Sequence, residues 1–208
     1  MRRSSVAWLD AALTAADWLS LRAVWVGGAL LFLAAFTVSV DVIARKIFSV
    51  SLGGADELSG YAFAIGTAWA FAFTLLRRAN VRVDALYQHL PLKLCALLDV
   101  LALLSLGLFV AYLARYGYEL LATSWQLSAR SNSALNVPLW IPQAFWFGGL
   151  VLFAATILLL LLRSLSALLR GDWAAVHELL GARSIKEDAD EEAAYAHSIE
   201  REAGGSQR

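Results

Sequence analysis

The stretch LWIPQAFWFGGLVLFAATILLLLL, from Leu139 to Leu162, runs for 24 residues without one charged side chain. As a helix it rises about 36 Å, enough to cross a hydrocarbon core of about 30 Å. Lipid is the solvent such a run is built for. Outward from it, three more stretches meet the same requirement: about Val24 to Ala44, Leu58 to Leu76, and Leu94 to Ala114, the last with a helix that continues past Tyr118. Charges mark the boundaries. Arg22 precedes the first span and Arg45–Lys46 follow it; Asp56–Glu57 and Arg77–Arg78 flank the second; Lys93 and Arg115 flank the third; Arg163 ends the fourth. Side chains of this kind must reach the headgroups. The pattern predicts an all-α integral membrane protein with four transmembrane helices.

The composition agrees, with 60% of the 208 residues hydrophobic and 16% charged. The formal net charge is zero, which gives no electrostatic footprint for nucleic acid. Lys and Arg are unevenly placed. Arg2, Arg3, Arg22, Arg77, Arg78, Arg82, Lys93, Arg163 and Arg170 fall on one side of the four spans, and Arg45, Lys46, Arg115 and Arg130 on the other. Nine against four predicts that both termini face the cytoplasm. The first apolar run is too long, and starts too late, for a cleaved signal peptide.

Three regions follow. Residues 1–22 read as an amphipathic helix lying in the interface, with Val6, Leu9, Leu13 and Ala16 on one face and Asp10, Thr14 and Asp17 on the other. The alternative is a short helix packed on protein. Residues 23–165 form the transmembrane domain. Residues 166–208 form a cytoplasmic acidic tail, with a short surface helix over Trp173 to Leu180.

The chemistry is sparse. His89, His177 and His197 all lie outside the spans, and Cys95 is a lone cysteine. Haem ligation, zinc chemistry and thiol–disulfide exchange all need more than this. Neither a phosphate loop nor a Ser–His pairing is present, so no enzyme, cofactor or metal site is expected. What remains is charge and packing. Asp41 and Arg45 stand four apart, so one helix face can hold them as an ion pair; Asp56 and Glu57 enter the second span at the same depth. Asp99 is the deepest acid, about one and a half turns into the third span. It is expected to snorkel or to meet an arginine of the Arg77–Arg82 segment or of a neighbouring chain. Ala62, Gly66, Ala70 and Thr74 repeat every four residues down the second span, a stripe that allows close helix approach within the chain or to a partner.

The segments at the span ends carry a resemblance. Arg45, then Ala55-Asp56-Glu57-Leu58-Ser59-Gly60, then Arg77-Arg78-Ala79-Asn80-Val81-Arg82-Val83-Asp84-Ala85-Leu86 and Leu90-Pro91, and finally Ala134-Leu135-Asn136-Val137-Pro138-Leu139-Trp140-Ile141-Pro142, together resemble the small permease (DctQ-type) subunit of tripartite ATP-independent periplasmic (TRAP) transporters. The likeness covers about residues 20 to 165, and Asn80 stands where that family usually has His. It implies a three-part system in the bacterial inner membrane: a periplasmic substrate-binding protein that captures an organic anion, usually a carboxylate; a large multi-span permease subunit that carries it inward on a sodium gradient; and the small subunit as added scaffold, with outer loops that help dock the binding protein. In that frame Arg45 with Asp56 or Glu57 would tie spans one and two. Arg82 and Asp84 would set the inner loop at the headgroups, by pairing or by binding membrane lipid. Pro138 and Pro142 would shape the start of span four. The competing readings are a stand-alone oligomeric four-helix carrier or channel, which needs acids or amides at midplane, and a membrane enzyme, which needs a titratable cluster at one interface.

Overall fold

In a computed structural model of the 208-residue chain, residues 4–51, 53–79, 90–181 and 193 are described. Five named helices account for most of them: α1 (Ser4–Phe48), α2 (Ala55–Leu76), α3 (Leu92–Gln126), α4 (Trp140–Leu168) and α5 (Trp173–Leu180). The first four are long and apolar enough to cross a membrane, as the hydropathy predicts. No strand is named among the described residues, and one isolated bridge joins Arg130 to Pro138. Arg82, Asp84 and Asn80 lie outside the described residues, as does the acidic tail beyond residue 181 apart from Ala193.

One feature of α1 differs from the three-region reading. Its 45 residues form a single helix with no break at Arg22, about 67 Å long. A charge marks a membrane boundary only by its cost in lipid; it does not interrupt backbone hydrogen bonding. Arg22 lies over the Trp18 ring, 5.0 Å from its centroid, where the ring face attracts the guanidinium. The early apolar face is turned onto protein. Leu9, Ala16 and Ala23 are buried and Leu13 packs against the core, while Trp8, Trp18 and Trp25 stay exposed.

The principal contacts run α1 to α2, α2 to α4, and α4 to α3, with α5 tucked against α3 and α4. In lipid there is no hydrophobic drive between helices, so close fit and hydrogen bonds decide the pairing. Two glycine contacts supply the fit. A Cβ on Gly27 of α1 would stand 3.0 Å from Gly66 Cα of α2, and one on Gly149 of α4 would stand 2.8 Å from the Ala68 carbonyl carbon. Gly66 of the predicted stripe is thus used inside the chain. Gly149, not its neighbour Gly148, makes the tight contact with α2. Trp69 Nε1 donates to the Phe145 carbonyl at 2.8 Å and ties α2 to α4 across the same surface. The core gathers Ala72 and Leu75 of α2, Leu103 and Val110 of α3, and Phe153 and Ile157 of α4.

Candidate functional site

The polar side chains collect at the two ends of the bundle. At the Asp41 end, Asp41 is 2% exposed and pairs with Arg45 one turn on, the i, i+4 pair that the sequence predicts. Ser51, in the turn after α1, places its hydroxyl 3.1 Å from the other Asp41 oxygen and accepts from Gly53 N at 3.3 Å. Asp41 therefore orders the turn between α1 and α2. Asp56 and Glu57 occupy the first turn of α2, where unpaired backbone N–H groups favour anions.

Glu57 does not meet Arg45. It accepts from the Tyr61 hydroxyl, and the hydroxyls of Ser131 and Ser133 lie beside it. Arg45 pairs instead with Asp41 on its own helix, so neither Asp56 nor Glu57 ties it to span two; Glu57 faces the segment before α4 with its second oxygen buried and unbonded among the described residues. That segment is itself well ordered. Ser131 N donates to Val137 O at 2.9 Å, Val137 N to Ser131 Oγ at 3.1 Å, and Leu139 N to Ala129 O at 3.0 Å. Leu135 covers Gly54, where a Cβ would stand 2.5 Å from the Leu135 side chain and φ is +113°. Only glycine meets both conditions. Pro138 lies just before α4 and Pro142 in its first turn, where a missing N–H leaves no intrahelical bond unmade.

At the opposite, Asp99 end, four contacts bring distant elements together. Asp10 and Asp17 of α1 meet Arg163 of α4 at 2.9 Å and Arg77 after α2 at 3.1 Å. The start of α1 and the finish of α4 thus lie at the same end of the bundle. Asp99 is 1% exposed and holds His177 Nδ1 of α5 at 3.1 Å. Arg78 Nη1 donates to the Glu178 carbonyl at 2.8 Å. Asp172 caps α5 by accepting from Ala175 N at 3.0 Å, and Val176 and Leu180 are buried beneath it. The sequence marks Asp99 and the short helix but gives no sign that they meet, since 78 residues separate Asp99 from His177.

Between the two ends the buried hydroxyl of Thr156 bonds within its own helix, donating to Leu152 O at 2.8 Å; Ser164, beside Arg163 at the Asp99 end, does the same, donating to Leu160 O at 2.7 Å. Such back-bonding satisfies a hydroxyl without offering a ligand to anything passing through. Among the described residues, no chain of buried polar side chains links the Asp41 end to the Asp99 end.

Four membrane-length helices with polar ends and an apolar middle define a multi-pass membrane protein built for packing. The family model for tripartite ATP-independent periplasmic transporters, DctQ component, matches residues 34–167. The chain belongs to this family: it is the small, non-catalytic permease subunit of a TRAP transporter. No curated protein and no solved structure matches it.

Proposed function

We propose that this chain serves a sodium-coupled importer of an organic, carboxylate-bearing anion by packing against the large permease subunit and extending its fixed scaffold. The observation that carries this reading is the apolar middle of the bundle, where the buried hydroxyl among the described residues, that of Thr156, is spent on its own helix. A carrier or channel working alone needs polar groups at that depth. The scaffold role also fits α1, whose membrane-length stretch turns Phe32, Phe36 and Ile43 outward, so that lipid or a partner helix covers most of it. Both termini face the cytoplasm in this reading, in the bacterial inner membrane. The first turns of α1 then lie at the headgroups, because Asp10 and Asp17 pair with arginines that bound spans four and two. Trp8 and Trp18 stand at an interface suited to their rings. At the opposite face the Ser131–Leu135 segment, packed on α2 at Gly54 and ordered by its own hydrogen bonds, offers the periplasmic binding protein an ordered surface.

Reconstitution tests the whole reading. Proteoliposomes holding the large permease subunit, with the binding protein outside, are assayed for sodium-driven uptake of a labelled dicarboxylate, an oxo acid and a sialic acid. Uptake is expected to require this chain. Uptake at full rate without it would overturn the proposal.

A further inference from the structure

We propose that the bilayer meets this chain on a slant, roughly 45° away from perpendicular to its helices, and is drawn thin beside it. The four spans pack in the order α1, α2, α4, α3, with α1 and α3 at opposite ends of the row. Contacts fix how far each is shifted along its neighbour. Gly27 of α1 lies against Gly66 of α2, and the Asp17–Arg77 pair at 3.1 Å continues the same antiparallel register. Gly149 of α4 lies against Ala68 of α2. Gly117 of α3 lies against Trp146, Gly107 lies against Ile157, and the Trp125 and Trp140 rings meet at 4.8 Å, all in one register. A single cross-section of the bundle therefore holds Trp25, Ala68, Gly149 and Arg115.

Those four residues do not belong at one depth. Trp25 stands three residues past Arg22, at one boundary of span one, while Ala68 and Gly149 are well inside spans two and four. Arg115 bounds span three at the opposite face. A bilayer perpendicular to the helices and centred on Gly149 puts Arg115 and its partner Glu119 in hydrocarbon, with side chains 66% and 46% exposed. Charged groups at that depth face the bundle interior or a water-filled cavity, and these face outward. The same placement strands exposed apolar residues in water at both extremes: Ile43, Ile47 and Phe48 of α1, and Leu92, Leu94 and Leu97 of α3. A partner helix laid over Arg115 cures the first defect and leaves the second. Slanting the bilayer removes both.

The angle follows from the offset. At the Asp41 end, span one is bounded by the Asp41–Arg45 pair, about 16–20 residues or ~24–30 Å beyond Trp25. Span three is bounded there by Arg115, level with Trp25. Three interaxial steps of about 8–10 Å separate the two helices, so rise and run are nearly equal. The uncharged runs are 18 residues on α1 (Ala23–Val40) and 24 on α4 (Leu139–Leu162). Laid over at that angle they cover about 19–25 Å, against a hydrocarbon core of about 30 Å, and the bilayer accommodates by thinning. This inference rests on the spans and their contacts, and depends neither on the transport role nor on which face is cytoplasmic.

The test places nitroxide side chains singly at Trp25, Phe32, Leu104 and Tyr116, all exposed, in a Cys95→Ala chain reconstituted in proteoliposomes. The ratio of collisions with oxygen to collisions with a nickel chelate reads depth. On the slant, positions 32 and 104 are deep and positions 25 and 116 lie near the headgroups, with ratios about ten-fold apart. An upright bundle reverses that order; the reversal, or four equal depths, would overturn the proposal. In intact cells, an impermeant maleimide should reach only one of Trp25→Cys and Tyr116→Cys until the membrane is opened. Equal labelling of both from outside would also overturn it. Thinning is read separately, in vesicles of short-chain dimyristoleoyl- or long-chain dieicosenoyl-phosphatidylcholine. The unfolding midpoint should be higher in the short-chain lipid, and a midpoint that is level or rises with chain length would overturn that part.

Discussion

At the residue scale, Asp99 and His177 show how a buried acid in a membrane helix is accommodated by a segment outside the spans. Asp99 keeps almost no contact with solvent, whereas the His177 side chain is about a third exposed. His177→Ala would take a partner from a buried acceptor, at a cost of about 1–3 kcal/mol. The cost falls on the docking of α5. Hydrogen exchange of the α5 amides is expected to quicken by about five-fold or more, since 1.4 kcal/mol is a factor of ten. Asp99→Asn retains an acceptor oxygen and should quicken it less. The pair was not legible in the sequence, because a helix of eight residues carries little periodic signal and nothing links it to a span 78 residues earlier. Asp41–Arg45 was legible, because the spacing of one helical turn is itself the contact. Glu57 was legible as a charge at a helix start, but its neighbours Ser131 and Ser133 come from a loop whose position depends on α4.

At the element scale, helix ends and helix crossings give separate tests. Arg78, Ser128 and Gly171 each follow a helix with positive φ, at +53°, +47° and +73°. In each case the next residue's N–H reaches back to a carbonyl five residues earlier, as in Ala129 N to Ser124 O at 3.0 Å. A left-handed conformation costs a non-glycine residue about 1–2 kcal/mol. Ser128→Gly should therefore raise stability by up to about 1 kcal/mol, seen as a higher unfolding midpoint in detergent. Crossings respond in the opposite direction. Gly149→Ala forces a methyl against the α2 backbone and should cost about 1–3 kcal/mol, while Gly28→Ala, with nothing within 4 Å of its Cβ, should raise stability by up to about 1 kcal/mol, the usual gain from Gly to Ala inside a helix. The four spans were readable because lipid demands long uncharged helices. The partners of those helices were not, since Gly27, Gly66 and Gly149 look alike as letters and differ only in what faces them. The continuity of α1 through Arg22 was hidden for a related reason: hydropathy reports solvent, and a helix can pass from one solvent to another unbroken.

At the scale of the whole molecule, the start of α1 and the finish of α4 share one end of the bundle, so one labelling experiment fixes the sidedness of all four spans. Cys95 is the single cysteine in the chain and is buried, which makes Cys95→Ala a suitable background. With Asn132→Cys added, an impermeant maleimide is expected to label intact cells from outside. With Thr14→Cys it should label only after the membrane is opened, and the reverse pattern would invert the proposed topology. The order of contacts also bears on how the protein is made. A ribosome delivers the helices as α1, α2, α3, α4, yet α3 packs chiefly on α4 and α5. The first hairpin can close on Gly27 and Gly66 as soon as it leaves the translocon. The third helix cannot settle against its main neighbour until the fourth has been synthesised. During that interval it is a nascent span with an acid, Asp99, whose histidine partner has yet to leave the ribosome.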